Sequence, residues 1–200
     1  MKDILLTILR NKDTARAEFR TAAYKLGSIL AAETSQFLQK DSFSLKTPVD
    51  TANGVKLKND CILVPILRSG ILLMEPFMNY YQGAGVGFVG LRRDEETADP
   101  KLYYSNIPKV GSEDNVLVLD PMIATGGSGE AALKILLDTG IKEEKIVFVA
   151  VIAAQEGVDR IQKAFPKIKI YVAQIDPELN DKKFIVPGLG DFGDRYFGTE

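Results

Sequence analysis

Five nearly unbroken apolar runs punctuate this chain: "CILVPIL" from Cys61, "GVGFVGL" from Gly85, "NVLVLD" from Asn115, "KIVFVAVIAA" from Lys145 and "IKIYVAQID" from Ile168. A strand with one face in water alternates apolar and polar residues. These runs do not, so both of their faces must be covered, as in a parallel sheet between helices. Helical patterns fall between them at 70–81, at 127–138 with Gly140 as the closing glycine, and at 156–165. The alternation predicts an α/β fold: a doubly wound, mostly parallel sheet flanked by helices. Upstream, Asp13 or Thr14 is placed to cap a long helix in which Phe19, Ala22, Ala23, Leu26, Ile29, Leu30 and Phe37 recur at helical spacing. "TPVDTANGVKLK" predicts a β-hairpin turning at Asn53-Gly54. No repeat or linker interrupts residues 1–200, which read as one domain. The closing "FIVPGLGDFGDRYFGTE" has no period and reads as an ordered irregular loop.

Composition narrows the chemistry. The chain has no histidine, which removes Ser-His-Asp hydrolysis, histidine bases and most zinc sites. With 25 basic against 27 acidic residues and a net charge of −2, nothing general favours nucleic acid or an anionic membrane as partner. No apolar run approaches the roughly 18 residues of a membrane span. The start lacks a small-residue cleavage site and Cys61 is the single cysteine, so a cytoplasmic setting is expected.

The third run ends in an acid, and "PMIATGGSGEAALKIL" follows it. In an open α/β sheet ligands bind beyond the carboxyl ends of strands. Asp120 sits at such an end. The loop after it opens a helix whose first amides are unpaired and whose dipole favours an anion, most often a phosphate. Gly126 and Gly127 let that anion approach, and Thr125 and Ser128 add hydroxyls. Asp120 repels phosphate but suits hydroxyl groups a few ångströms away. An acid for hydroxyls beside a cradle for phosphate describes a ribose 5-phosphate site. The plain alternative is a glycine-rich turn with a capping serine. A P-loop would need a lysine that is absent, and "GSGEAA" matches a dinucleotide fingerprint poorly because the next strand lacks a terminal acid.

"VLVLDPMIATGGS" resembles the phosphoribosyl-diphosphate (PRPP) loop of phosphoribosyltransferases, and Pro121 in place of a second acid is the variant of the uracil phosphoribosyltransferases. "ILVPILRSG", "LRRDEET" and "FIVPGLGDFGDRYFGT" extend the resemblance across most of the chain from Cys61 onward. The resemblance implies transfer of a 5-phosphoribosyl group from PRPP to N1 of uracil, giving UMP and diphosphate. It implies a PRPP site of Arg68, Arg93, Asp120, Pro121, Met122, Ile123, Ala124, Thr125, Gly126, Gly127, Ser128 and Asp191. Arg68, Arg93 and Asp120 would act in catalysis, Arg93 from a mobile arm in which Arg92 has no defined role. Residues 183–200 would form a hood in which Ile185, Gly190, Asp191 and Phe192 surround uracil. Mg²⁺ would be carried by PRPP and water rather than by protein ligands, and a homodimer or homotetramer is expected. Some members of the family respond to GTP; no residue here decides it. Two other readings stay open: a nucleotide-sensing, RNA-binding regulator on the same fold, and transfer to a purine.

Overall fold

The computed structural model describes residues 1–93, 100–109, 111 and 113–199, with Arg93 described for its backbone only. In chain order the elements are α1 (Lys2–Arg10), α2 (Arg16–Thr34), β1 (Lys40–Lys46), β2 (Thr51–Leu57), β3 (Cys61–Leu67), α3 (Ile71–Tyr80), β4 (Gly85–Val86), β5 (Phe88–Arg93) and β6 (Pro100–Asn106). There follow β7 (Asn115–Leu119), β8 (Met122–Ile123), α4 (Gly127–Asp138), β9 (Ile146–Ala154), α5 (Gln155–Ala164), β10 (Lys169–Asp176), β11 (Glu178–Leu179), β12 (Ile185–Val186) and α6 (Phe192–Phe197).

The main sheet runs in the order β10-β9-β7-β3-β5-β6. Every neighbouring pair is parallel except β5 with β6. Alternate residues of the apolar runs enter opposite cores. Leu63, Leu117, Leu119, Val147 and Val149 face Leu9, Phe19, Leu26, Leu30 and Leu73 of α1, α2 and α3. Val64, Val116, Val118, Phe148 and Ala150 face Ala132, Leu133, Leu136 and Ile161 of α4 and α5. Each fully buried Leu or Phe contributes roughly 1.5–3 kcal/mol of transfer free energy, which is why continuous apolar runs settle between two helical layers. The chain leaves β3 in one direction along the sheet and β7 in the other. The topological switch therefore lies between these two strands, where α3 and α4 cover opposite faces.

Four expectations are corrected. The long helix starts at Arg16, after an Ala15 cap with no side-chain bond, while Thr14 Oγ1 donates to Ile8 O at 2.7 Å. That helix ends at Thr34, and Phe37 lies in a 3-10 turn, Ser35–Phe37. The hairpin does not turn at Asn53-Gly54: these residues lie inside β2, opposite Ser44 and Phe43. The turn is Thr47-Pro48-Val49-Asp50, where Thr47 Oγ1 accepts the amides of Val49 and Asp50 at 3.1 and 3.0 Å. A side chain at Gly54 would strike Leu45 and Phe43, so the glycine permits cross-strand packing instead of making a turn. Finally, the terminal segment is not all irregular. It holds β12, paired with β11, and the helix α6. Besides the two-residue strands β8 and β11, the elements with no counterpart in the sequence reading are α1, with Leu5, Leu6 and Leu9 buried, and the edge strand β6.

Candidate active site

Arg68 and Asp120 leave the sheet at the carboxyl ends of β3 and β7, on either side of the switch point. Gly70 makes that proximity possible: a β-carbon there would lie 2.2 Å from Leu119 O and 2.5 Å from Ile66 N. The Leu67–Arg68 peptide is cis. Arg68 Nη2 reaches Asp194 Oδ1 at 3.1 Å, and its guanidinium stands over the Phe197 ring, 5.6 Å from the centroid.

Beyond Asp120, Pro121 turns back to the sheet, its carbonyl accepting the amides of Val151 and Ile152 at 3.0 Å each. Met122 and Ile123 pair with β9. Gly126 then caps α4 in the left-handed region at φ 77°, a conformation glycine takes without steric penalty. It brings no side-chain oxygen to the helix start. The first amides of α4 face a cavity of about 160 Å³ lined by Asp120, the segment 122–129 and Phe148. A helix start open to a cavity of this size suits a phosphate.

Two further cavities adjoin the first. One of about 460 Å³ includes Arg68, Ser69, Leu91, Asp120, Ser128 and Asp191 in its lining. The other, about 280 Å³, is lined by Met122, Ala124, Lys182, Lys183, Phe184, Ile185, Gly190 and Asp191. Asp120 and Ser128 are shared between the first two, Met122 and Ala124 between the first and third, and Asp191 between the last two. Burial pushes the Asp120 carboxyl up to about 7; the Met122 amide, donating to its Oδ1 at 3.3 Å, opposes this, and the Asp191 charge adds to it. A carboxyl so poised accepts stabilisation from any cation or hydroxyl that enters the cavity.

The C-terminal segment is fastened over this region. Asp191 Oδ1 accepts the Asp194 amide at 2.9 Å as the cap of α6. Arg195 donates to Leu189 O at 2.7 Å and to Asn11 O at 2.7 Å, joining the segment to the end of α1, and it also donates to Leu9 O.

Most residues expected from sequence converge here. Pro121 and Phe192 do not line the cavities. The Phe192 side chain is fully buried with its ring 5.1 Å from that of Phe19, so only its backbone is free for a ligand. Arg93 ends β5, and its side chain lies outside the described residues. Sequence reasoning assigned no role to Gly129, Phe148, Lys182 and Leu91, and it included Lys183 and Phe184 only as part of the 183–200 hood segment. Among them, Lys182 and Lys183 carried a local signal, because Asn180 two and three residues earlier forms the turn that presents them. Among the described residues no group of three acids or cysteines is placed to hold a metal.

The family profile "Uracil phosphoribosyltransferase" matches residues 2–199. The chain is 42% identical to the uracil phosphoribosyltransferase of Dictyoglomus thermophilum, with 98% of this chain and 94% of the relative aligned. It is 42% identical to that of Corynebacterium glutamicum over 96% of this chain and 90% of the relative. A solved protein from Aquifex aeolicus superposes over 100% of this chain and 95% of its own, with 34% identity and a TM-score of 0.88. The APRTase of Giardia lamblia shares the fold, with a TM-score of 0.55 at 18% identity over 78% of this chain and 81% of its own. The chain belongs to the uracil phosphoribosyltransferase family.

Proposed function

We propose that this protein transfers the 5-phosphoribosyl group of PRPP to N1 of uracil, releasing UMP and diphosphate. The observation that carries this reading is the meeting of three cavities at Asp120, Met122 and Asp191. Their linings match a sugar phosphate, a diphosphate and a small base held at one point. The 5-phosphate takes the amides of Gly127, Ser128 and Gly129 with the Thr125 and Ser128 hydroxyls. Asp120 accepts the ribose hydroxyls. Arg68 leaves Asp194 for the diphosphate, and Arg93 joins it from the end of β5. Uracil enters between Met122 and the hood, where the Ile185, Gly190 and Phe192 backbone meets its donor–acceptor edge.

Uracil gives up its N1 proton to solvent as N1 forms the bond to C1′ and the C1′–oxygen bond breaks, and the diphosphate leaves with the electron pair of the broken bond. Diphosphate is already a stable anion, so no strong nucleophile on the protein is needed. Positioning and charge stabilisation carry the rate. Among the described residues, Asp120 and Asp191 are the acids that line the diphosphate cavity. Mg²⁺ would be carried by PRPP oxygens and water beside these acids, and there it would neutralise charge on the diphosphate. The exposed apolar side chains of the β1–β2 ribbon, with Val49 94% and Val55 66% exposed, fit a contact between copies of the chain, so a homodimer or homotetramer is part of this reading, as is action in the cytoplasm on small molecules alone.

The test is a purified-protein assay with PRPP, Mg²⁺ and equal concentrations of uracil, 5-fluorouracil, cytosine and hypoxanthine. Cytosine inverts the polarity of two edge groups. Each mismatch leaves a buried polar group unpaired at about 1–3 kcal/mol, so discrimination on the order of 10²- to 10⁴-fold is expected. Equal rates with cytosine, or a preference for hypoxanthine, reject the assignment.

A further inference from the structure

The base cavity carries a positive charge that uracil, a neutral ring, does not require. Lys182 and Lys183 both line it, and Asp191 is the only acid in that lining among the described residues. Neither ammonium has a hydrogen bond or ion pair among the described residues. Lys183 also holds the left-handed backbone at φ 64°, the one non-glycine among the described residues to do so. The turn that imposes it is closely tied. Lys183 N donates to Asn180 O at 2.8 Å, and Asn180 Oδ1 accepts the amides of Lys182 and Phe184, each at 3.0 Å. Glycine would take this conformation without a steric penalty. A lysine kept at a strained turn, beside a ligand cavity and without an internal partner, suggests a function for its charge.

We infer that the base cavity also accepts pyrimidine rings bearing a carboxylate, with Lys183 as the ionic partner of that group. This rests on the third cavity being the base site. Lys183 lines the cavity from the hood turn, so its side chain supplies a cation there for a carboxylate on a bound ring. Lys182 on the same turn adds to the field without being the partner. Uracil itself binds through its donor–acceptor edge and does not depend on this charge.

The experiment measures equilibrium binding by calorimetry, in the presence of ribose 5-phosphate, of uracil-5-carboxylate and uracil-6-carboxylate, each against its neutral carboxamide. In the unmodified protein at least one carboxylate binds about tenfold or more tightly than its carboxamide. Lys183→Met brings that ratio near one, and Lys183→Arg restores it. Lys183→Gly loses the ratio as well but raises the thermal midpoint, because it relieves the left-handed backbone; this separates loss of charge from loss of fold. Carboxylates that bind no better than their carboxamides overturn the inference. So does a ratio that survives Lys183→Met and disappears in Lys182→Met. Failure to turn over uracil would reject the proposed activity, whereas the binding ratio alone decides the role of Lys183.

Discussion

Arg10 and Asp176 form a two-pronged ion pair, Nη2 to Oδ1 at 2.6 Å and Nη1 to Oδ2 at 2.8 Å, although 166 residues separate them. Both also grip the hood: Arg10 Nη1 donates to Gly188 O at 2.8 Å, and Asp176 Oδ2 accepts the Gly188 amide at 2.9 Å. The Arg10 guanidinium holds the buried Asp176 carboxyl below the usual carboxylate range. Arg10→Ala leaves that carboxylate unpaired. The expected loss is about 2–4 kcal/mol in denaturant unfolding, with a raised KM for uracil because the hood loses its anchor. The sign in pH follows from the lowered pKa: this stability is present above the ordinary aspartate range and disappears as pH falls through the depressed value. The acid limb of the stability curve should therefore flatten in Arg10→Ala. Unchanged stability and KM would show that the pair does not hold the hood.

Asp120 has the opposite sign. With its carboxyl raised to about 7, the ligand-free protein loses stability as pH rises from the ordinary aspartate range through 7, because the folded state binds the proton more tightly. Asp120→Asn should raise ligand-free stability at pH 8 by about 1–2 kcal/mol, allowing for solvent screening. The same change should lower kcat by on the order of 10²-fold or more. In the unmodified enzyme kcat/KM for PRPP should climb through pH 7, and the variant should lose that limb. A fully active, folded variant would remove Asp120 from the mechanism.

The pair of Arg68 with Asp194 is half exposed, and such a pair contributes roughly 0–1 kcal/mol. Arg68→Ala should leave the melting temperature nearly unchanged and raise KM for PRPP at least tenfold, with little effect on KM for uracil. A large melting shift with normal kinetics would make Arg68 a structural residue.

Gly157 backs the loop after Asp120. A β-carbon there would lie 2.2 Å from Ala124 O and 3.0 Å from Ile123 Cγ2. Gly157→Ala must displace the loop or the start of α5, which costs about 1–3 kcal/mol and should weaken binding of ribose 5-phosphate. Binding equal to that of the unmodified protein would show that the loop tolerates the shift.

Burial pushes the Cys61 thiol up to about 12, so it is protonated and shielded at pH 8. Alkylation by iodoacetamide at that pH should be negligible in the native protein and complete in denaturant. Rapid labelling of the native state would place Cys61 at the surface.

The central sheet and the loop after Asp120 were legible from local pattern. Apolar runs specify strands covered on both faces in β3, β7 and β9, whereas β10, at the sheet edge, is half-buried or exposed along most of its length; α4 spans 127–138 as its residues imply, because a helix start after a glycine-rich turn is a short-range event. The Asn53-Gly54 turn misled, since Thr47-Pro48-Val49-Asp50 closes the ribbon better and Gly54 serves packing. Only the tertiary structure decided where the hood sits. Its anchors are Arg10, Asp176 and Arg195, and its Phe192 ring belongs to the core against Phe19. Such contacts join residues more than 160 positions apart. They leave no periodicity in the chain, because what selects them is the burial of charge and rings between elements that meet only after the sheet has formed.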